Sequence, residues 1–144
     1  MIKELNFTIF ADGGSRGNPG EAAYGFVVYD KNGNTIFEKG TRIGIATNNT
    51  AEYSAIIAAL KWVENKLVLG GQIQKPRIQF YLDSELVAMQ LNGKYKVRNE
   101  NLRNLFFTIK NLERKIGGEF FYEAIPREQN KEADRLVNLA LDGN

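Results

Sequence analysis

The spacing of apolar and polar residues changes along the chain. Over residues 5–11 the two kinds of side chain alternate, and residues 22–30 and 35–44 are rich in β-branched and aromatic side chains. A period of two is typical of β-strands. The Asn32-Gly33 dipeptide between the second and third segments favours a tight hairpin. The N-terminal part of the chain therefore predicts three strands in an antiparallel meander.

After this meander the apolar residues recur at helical spacing. Over residues 50–66 they fall three or four positions apart, and Asn48, Asn49 or Thr50 is placed to cap a helix there. The other predicted elements are a strand over 77–82, helices over 84–91 and 99–116, a strand over 119–125 and a last helix capped by Asn130. The predicted order is βββαβααβα.

This order predicts an α/β fold built on a five-stranded mixed sheet. The helical connections between the first, fourth and fifth strands imply parallel neighbours, whereas the first three strands form an antiparallel meander. Helices are expected on both faces of the sheet. Because no internal repeat or linker interrupts the pattern, residues 1–144 are predicted to form a single domain.

Composition narrows the possible chemistry. The chain has neither cysteine nor histidine, which excludes disulfides, Ser-His-Asp catalysis and histidine-ligated zinc sites. Any hydrolytic chemistry must then use carboxylates, lysines, hydroxyls or a metal held by oxygen ligands. The absence of cysteine favours a cytoplasmic location. No apolar run approaches the length of a membrane span, so no membrane partner is expected.

Charge alone does not identify a partner. The net charge of +2 is too small to indicate nucleic-acid binding. Lys94, Lys96, Arg98 and Arg103 lie close together with only Glu100 opposing them. They form either a local positive patch or an ordinary solvated surface.

Four carboxylates occupy suggestive positions. Asp12 and Asp83 follow the first and fourth predicted strands, while Glu52 and Asp134 lie in the first turns of predicted helices. Each position has a simple structural explanation, since Asp-Gly is a turn dipeptide and acids stabilise helix N-termini. Glu52, however, lies in line with the apolar stripe of its helix, so its side chain is predicted to point inward.

These carboxylates are expected to converge. Ligands of open α/β sheets bind outside the carboxyl ends of the strands, where Asp12 and Asp83 are predicted to project. Clustered acids repel one another unless a cation neutralises them. Oxygen ligands without histidine or cysteine favour Mg²⁺, with Mn²⁺ as an alternative. Two such ions about 3.5–4 Å apart suit the in-line displacement of a phosphodiester.

Four motifs carry a family resemblance. "DGGSRGNPG" begins at Asp12, "TNNTAEY" at Thr47, "LDSELV" at Leu82 and "NKEADRL" at Asn130. In this order they resemble the type 1 ribonuclease H family over nearly the whole chain. The resemblance implies a ribonuclease H-like fold and an endonuclease that hydrolyses the RNA strand of RNA–DNA hybrids. It further implies a two-metal-ion mechanism that leaves 5′-phosphate and 3′-hydroxyl ends.

The resemblance also implies roles for single residues. The metal-binding and catalytic set is Asp12, Glu52, Asp83 and Asp134, with Gly13 beside Asp12 at the metal site. Asn18, Asn48 and Asn49 are implied to contact the minor groove of the hybrid, where 2′-hydroxyls distinguish RNA from DNA, and Thr47 a phosphate of the DNA strand. Further substrate-contact candidates are Ser84, Lys94, Lys96, Arg98 and Arg127. The glycines after Asp12 are expected to turn the chain sharply beneath the metal site.

The chain departs from the family pattern in two places. Many members carry a histidine in the loop before the last helix, where this sequence has Ala124, and Pro126-Arg127 resembles an archaeal-like variant. The family's basic protrusion is reduced to "NGKYKVRNENL". Arg127 or Glu128 in this loop is a candidate to help exchange the second metal and release the product in place of the missing histidine.

Other functions compete with the hybrid nuclease. A non-catalytic nucleic-acid-binding module, or a resolvase or integrase type of nuclease, is compatible with the same fold. The asparagines at positions 18, 48 and 49 favour the hybrid nuclease over the latter. The expected partner is an RNA–DNA hybrid, with no obligatory protein partner, and the chain is predicted to be a monomer.

Overall fold

Strands and helices follow one another in the predicted order in the structure, a computed structural model that describes residues 4–143. The strands are β1 (Phe7–Gly17), β2 (Gly20–Asp30), β3 (Thr35–Ala46), β4 (Arg77–Leu82) and β5 (Glu119–Ala124). The helices are α1 (Asn48–Trp62), α2 (Glu85–Leu91), α3 (Glu100–Ile116) and α4 (Lys131–Leu141). A π-helical segment, Val63–Val68, continues α1, and a 3₁₀ turn, Arg127–Gln129, precedes α4. No helix within residues 4–143 is both long enough and apolar enough to cross a membrane.

The sheet is mixed, as predicted. Its strand order is β3-β2-β1-β4-β5. β1 and β3 each pair with β2 in antiparallel orientation, whereas β4 is parallel to both β1 and β5. The parallel strands β1 and β4 therefore end at the same edge of the sheet.

Helices cover both faces of the sheet, which confirms the α/β prediction. Because side chains alternate along a strand, Phe26 and Val28 pack into the main core together with α1, α2 and α3. Ala23, on the opposite face of β2, packs against Val137 and Ala140 of α4. The sheet is thus an internal layer between α4 and the other three helices.

β1 is longer than predicted. The expected turn directly after Asp12 is wrong, because β2 remains paired with β1 from Phe7↔Asp30 to Gly17↔Gly20. The chain reverses at residues 17–20 instead, where Gly17 has a φ of 103° that favours glycine. By contrast, β1 pairs with β4 only as far as Phe10↔Tyr81. Asp12 therefore lies within β1 but beyond the end of its pairing with β4.

Side-chain caps define three of the helices. Thr47 caps α1, one residue before the predicted candidates, by accepting a hydrogen bond from the Thr50 amide. Ser84 caps α2, and Asn99, the first residue of the helix predicted over 99–116, caps α3. Gly117 ends α3 in the left-handed conformation, with φ of 77°, which glycine adopts without steric cost.

Gly13 allows α1 to lie directly against β1. A methyl group at this position would lie 2.2 Å from the carbonyl carbon of Ala51 and 2.4 Å from the amide nitrogen of Glu52. Both atoms belong to the helix backbone, so no side-chain rearrangement could make room for it. The neighbouring Gly14 has nothing closer than 3.8 Å, which leaves space for a methyl group. Only glycine at position 13 is compatible with this separation of helix and strand.

We expect Gly13→Ala to destabilise the protein by about 1–3 kcal/mol or more, because the added methyl group overlaps the α1 backbone. Thermal or urea unfolding measures the change. Gly14→Ala is the matched control, since it adds the same group to the adjacent residue of β1 at ordinary van der Waals distance from its neighbours. Equal stability of the two variants would contradict the close approach of α1 to β1.

Candidate active site

Three carboxylates from three separate elements meet at one edge of the sheet. One oxygen from each of Asp12, Glu52 and Asp83 lies within 4.8 Å of the other two. Asp12 belongs to β1, Glu52 to α1, and Asp83 follows the last residue of β4. The predicted convergence of these three side chains is therefore present.

The backbone accounts for this convergence. Asp12 and Asp83 each lie two residues beyond Phe10↔Tyr81, the last pair of the parallel β1–β4 ladder. Glu52 is the fifth residue of α1, so it lies beyond the first turn in which it was expected. It is only 5 % exposed, and its Oε1 accepts a hydrogen bond of 3.2 Å from the Gly13 amide. The contact between α1 and β1 at Gly13 thus also orients the Glu52 carboxylate.

Asp134 lies beside this triad. It is the fourth residue of α4, in the predicted first turn, and is half-buried. Together with the triad it lines an open cavity of about 510 Å³. Within residues 4–143, the group of carboxylates within 4.8 Å of one another contains the triad but not Asp134. Asp134 therefore borders the cluster without being part of its centre.

Burial and mutual repulsion make the charged triad costly. Burial, followed by the charge of Asp83, raises the pKa of Asp12 from 3.8 to about 7. Burial also raises the pKa of Glu52 well above its usual value, with the charges of Asp12 and Asp83 adding to the effect. Without a compensating cation, burial therefore favours the protonated forms of Asp12 and Glu52.

The donor atoms suit a hard divalent cation. All three side chains of the triad offer carboxylate oxygens, the ligands that Mg²⁺ and Mn²⁺ prefer. The second carboxylate oxygen of Glu52, Oε2, is buried without a hydrogen-bond partner. Since buried polar atoms are normally paired, this oxygen is a further indication of a cation-binding role.

Hydrogen bonds join two of the predicted substrate-binding asparagines beside the cavity. Asn18 Oδ1 accepts from the Asn48 amide at 3.0 Å, and Asn48 Oδ1 accepts from the Ser15 amide at 2.9 Å. The loop between β1 and β2 is thereby fixed to the start of α1. Asn48 and Asn49 both line the cavity that contains the four acids.

The other predicted substrate-binding residues fall into two groups. Ser84 and Arg127 line the same cavity, while Thr47 caps α1 next to Asn48. Lys94, Lys96 and Arg98 are exposed on the segment between α2 and α3 and do not line the cavity. These three cations therefore lie outside the cluster of acids.

The cavity that holds the four acids is smaller than another cavity on this protein. A larger cavity of about 980 Å³ has Phe10 and Tyr29 in its lining and contains none of the four acids. Leu5, Phe10 and Tyr29 give it apolar surface, while most of its other lining residues are polar or charged, Asp30 and Glu128 among them. The smaller cavity is the candidate active site, because it contains the converging carboxylates that can bind a metal ion.

Asn130 has a role that the sequence did not indicate. It was predicted to cap α4, but its side chain makes no capping hydrogen bond. Its Nδ2 instead donates to the Ala11 carbonyl at 2.9 Å and lies 3.4 Å from Asp83 Oδ2. An asparagine before a helix is ordinarily interpreted as a cap, so only the three-dimensional arrangement reveals this contact.

Similarity to known proteins covers most of the chain. Residues 10–140 match a family model described as reverse transcriptase-like. The chain is 38% identical over 133 residues to the ribonuclease HI of Halobacterium salinarum, which covers 92% of this chain and 63% of that protein. A crystal structure of LC11-RNase H1 in complex with an RNA/DNA hybrid superposes with a TM-score of 0.88, at 39% identity, over 95% of this chain and 97% of that one.

Another group of relatives is much longer. The chain is 40% identical over 139 residues to the bifunctional protein Rv2228c of Mycobacterium tuberculosis. The match covers 96% of this chain but only 36% of that protein. The chain thus spans about a third of the length of these relatives.

The raised pKa of Asp12 predicts how stability depends on pH when divalent metal is removed. The folded state binds the proton more tightly than the unfolded chain, in which the pKa is near 3.9. The stabilisation from this proton is complete below pH 4 and is lost as pH rises through about 7. We expect Asp12→Asn to become more stable than the wild type over this range, by on the order of a few kcal/mol.

Urea unfolding in excess chelator at several pH values measures this difference. Glu123→Gln is the matched control, because it removes one negative charge from an exposed position on β5. Its stability relative to the wild type should change little between pH 4 and pH 7. A constant difference between Asp12→Asn and the wild type would show that Asp12 does not titrate in this range.

Proposed function

The chain belongs to the type 1 ribonuclease H family, and on that basis we propose that it is an endonuclease that hydrolyses the RNA strand of RNA–DNA hybrids. The convergence of Asp12, Glu52 and Asp83 within 4.8 Å is the observation that carries the proposal. Acids that are buried together at the ends of parallel strands lower the stability of the fold. Binding of divalent metal ions would give these acids a function. The intact triad favours catalysis over a non-catalytic binding module.

We propose that Asp12, Glu52, Asp83 and Asp134 hold two Mg²⁺ ions, with Mn²⁺ as a substitute, and that Gly13 adjoins this site. Bound ions of this kind activate a water molecule and stabilise the leaving oxygen in phosphodiester hydrolysis, giving 5′-phosphate and 3′-hydroxyl ends. Glu52 is held by the Gly13 amide through Oε1, which keeps its unpaired Oε2 within the cluster. The partly exposed Asp134 has more freedom to adjust when substrate enters.

Recognition of the hybrid is proposed to use the asparagines at the edge of the cavity. Asn18 and Asn48 are fixed by hydrogen bonds to main-chain amides, so little conformational entropy is lost when they meet the minor groove. Asn49 lies next to Asn48 on the cavity wall. Hydrogen bonds to 2′-hydroxyl groups at this place would distinguish RNA from DNA with little dependence on base sequence.

Contacts with phosphates are proposed at the periphery of the site. Thr47 is assigned to the DNA strand, and Ser84 lies beside Asp83 where the cleaved strand would pass. The exposed cations Lys94, Lys96 and Arg98 are proposed to attract the phosphates of the duplex by their charge. Arg127 lines the cavity, and its proposed role is to assist departure of the negatively charged product.

The proposal extends to domain organisation and location. We propose that residues 4–143 act as one catalytic domain, since the helices α1 to α4 all pack against a single sheet. A cytoplasmic location is proposed from the absence of cysteine. In longer relatives the equivalent region is accompanied by additional chain.

A nuclease assay tests the proposal. With Mg²⁺ present we expect cleavage of the RNA strand of a hybrid, and little cleavage of duplex RNA or duplex DNA of the same sequence. Asp83→Asn should lower turnover by orders of magnitude while leaving the fold intact, because it removes a charged oxygen ligand from the triad. Asp30→Asn is the control and should retain full activity, because Asp30 is the last residue of β2 and pairs with Phe7 at the far end of β1 from Asp12.

Two results would contradict the proposal. One is undiminished hybrid cleavage in excess chelator, which would exclude a divalent-metal requirement. The other is equal cleavage of all three duplexes, which would exclude recognition of the hybrid.

A further inference from the structure

Asn130 connects three elements that carry the proposed metal ligands. It is 1 % exposed and lies between the turn Arg127–Gln129 and the first residue of α4. Its Nδ2 donates to the carbonyl oxygen of Ala11, the residue before Asp12. Its own main-chain oxygen accepts from the Asp134 amide at 3.1 Å. One buried residue is thus bonded to β1 and to the first turn of α4.

The same amide group also faces Asp83. The distance from Asn130 Nδ2 to Asp83 Oδ2 is 3.4 Å, which is longer than an ordinary hydrogen bond. The amide dipole nevertheless presents its positive end to the carboxylate in a buried environment, where such attraction is strengthened. Asp83 is therefore drawn towards the part of β1 where Asp12 lies.

Only one of the two orientations of the Asn130 side-chain amide is favourable. Rotation by 180° would place Asn130 Oδ1 against the Ala11 carbonyl and the Asp83 carboxylate, both of which are acceptors. In the observed orientation Oδ1 is buried without a hydrogen-bond partner. This unpaired atom costs stability, so it is the two contacts of Nδ2 that account for the presence of an amide here.

The contacts of Asn130 lie beyond the pairing of β1 with β4. The β1–β4 ladder ends at Phe10↔Tyr81, so Ala11 and Asp83 both lie beyond its last pair. We propose that Asn130 is a positioning residue that extends this connection by its side chain and holds Asp83 beside Asp12 for divalent-ion binding. This inference rests on the proposed function, because it assigns Asn130 to the same metal site.

Mn²⁺ binding to the full chain tests this role without depending on catalysis. Isothermal titration calorimetry should show affinity for Mn²⁺ reduced about 10–100-fold in Asn130→Ala, the usual effect of losing a group that orients a metal ligand. In the hybrid-cleavage assay the Mg²⁺ concentration for half-maximal activity should rise by a similar factor. The KM for hybrid at saturating Mg²⁺ should change little, since Asn130 is buried away from the substrate surface.

Two further variants separate positioning from stability. Asn130→Leu keeps a branched side chain but removes both the donor and the unpaired acceptor, so it decides the question if Asn130→Ala unfolds. Asn6→Ala is the matched control, because Asn6 Oδ1 accepts from the Arg77 amide and joins β1 to β4 at the opposite end of the sheet. Asn6→Ala should lower the melting temperature but leave Mn²⁺ affinity unchanged.

The outcomes are distinguishable. If folded Asn130→Ala or Asn130→Leu binds Mn²⁺ within twofold of the wild type, the positioning role is wrong even though the proposed function stands. The same holds if Asn6→Ala weakens Mn²⁺ binding as much as the Asn130 variants do. If the wild type itself neither binds Mn²⁺ nor cleaves the hybrid, the proposed function is wrong as well.

Discussion

The close approach of α1 to β1 at Gly13 is the constraint on which the candidate site depends. There is no room for a methyl group between Gly13 and the backbone of Ala51 and Glu52. The absence of a side chain lets the Gly13 amide hold Glu52 directly, and Asp12 is the preceding residue of the strand. The same contact that packs the main core therefore also fixes two of the three converging carboxylates.

The neighbouring strand β4 positions the third carboxylate, that of Asp83. Since β4 is parallel to β1 and ends at the same edge, Asp83 projects towards Asp12 from the neighbouring strand. Buried acids this close together destabilise a fold when they are charged, which is visible in the raised pKa of Asp12 and of Glu52. Raised pKa values of this kind are concentrated at functional sites. They distinguish this cavity from the larger, more apolar one along β1 and β2.

Much of this arrangement was predictable from the sequence, because periodicity and capping are local. The spacing of apolar residues predicted the bounds of β4, and the helix predicted over residues 99–116 agrees with α3 to within one residue. The extent of β1 was not predictable in this way: the glycines after Asp12 indicate a turn, whereas pairing with β2 keeps them in a strand. Asn130 was interpreted as a helix cap, since its contacts with Ala11 and Asp83 join residues far apart in the sequence.

Locating a bound paramagnetic ion would show whether Gly13 and the parallel strands assemble one divalent-cation site. Mn²⁺ titrated into isotopically labelled protein broadens NMR signals of nearby amides. We expect selective broadening at Asp12, Gly13, Glu52, Asp83 and Ser84 at low Mn²⁺ concentration, with the signals of Asp30 and Glu119, which pair with the first residues of β1 and β4, unaffected. Broadening centred on other acids, or uniform weak broadening over the whole surface, would contradict this expectation.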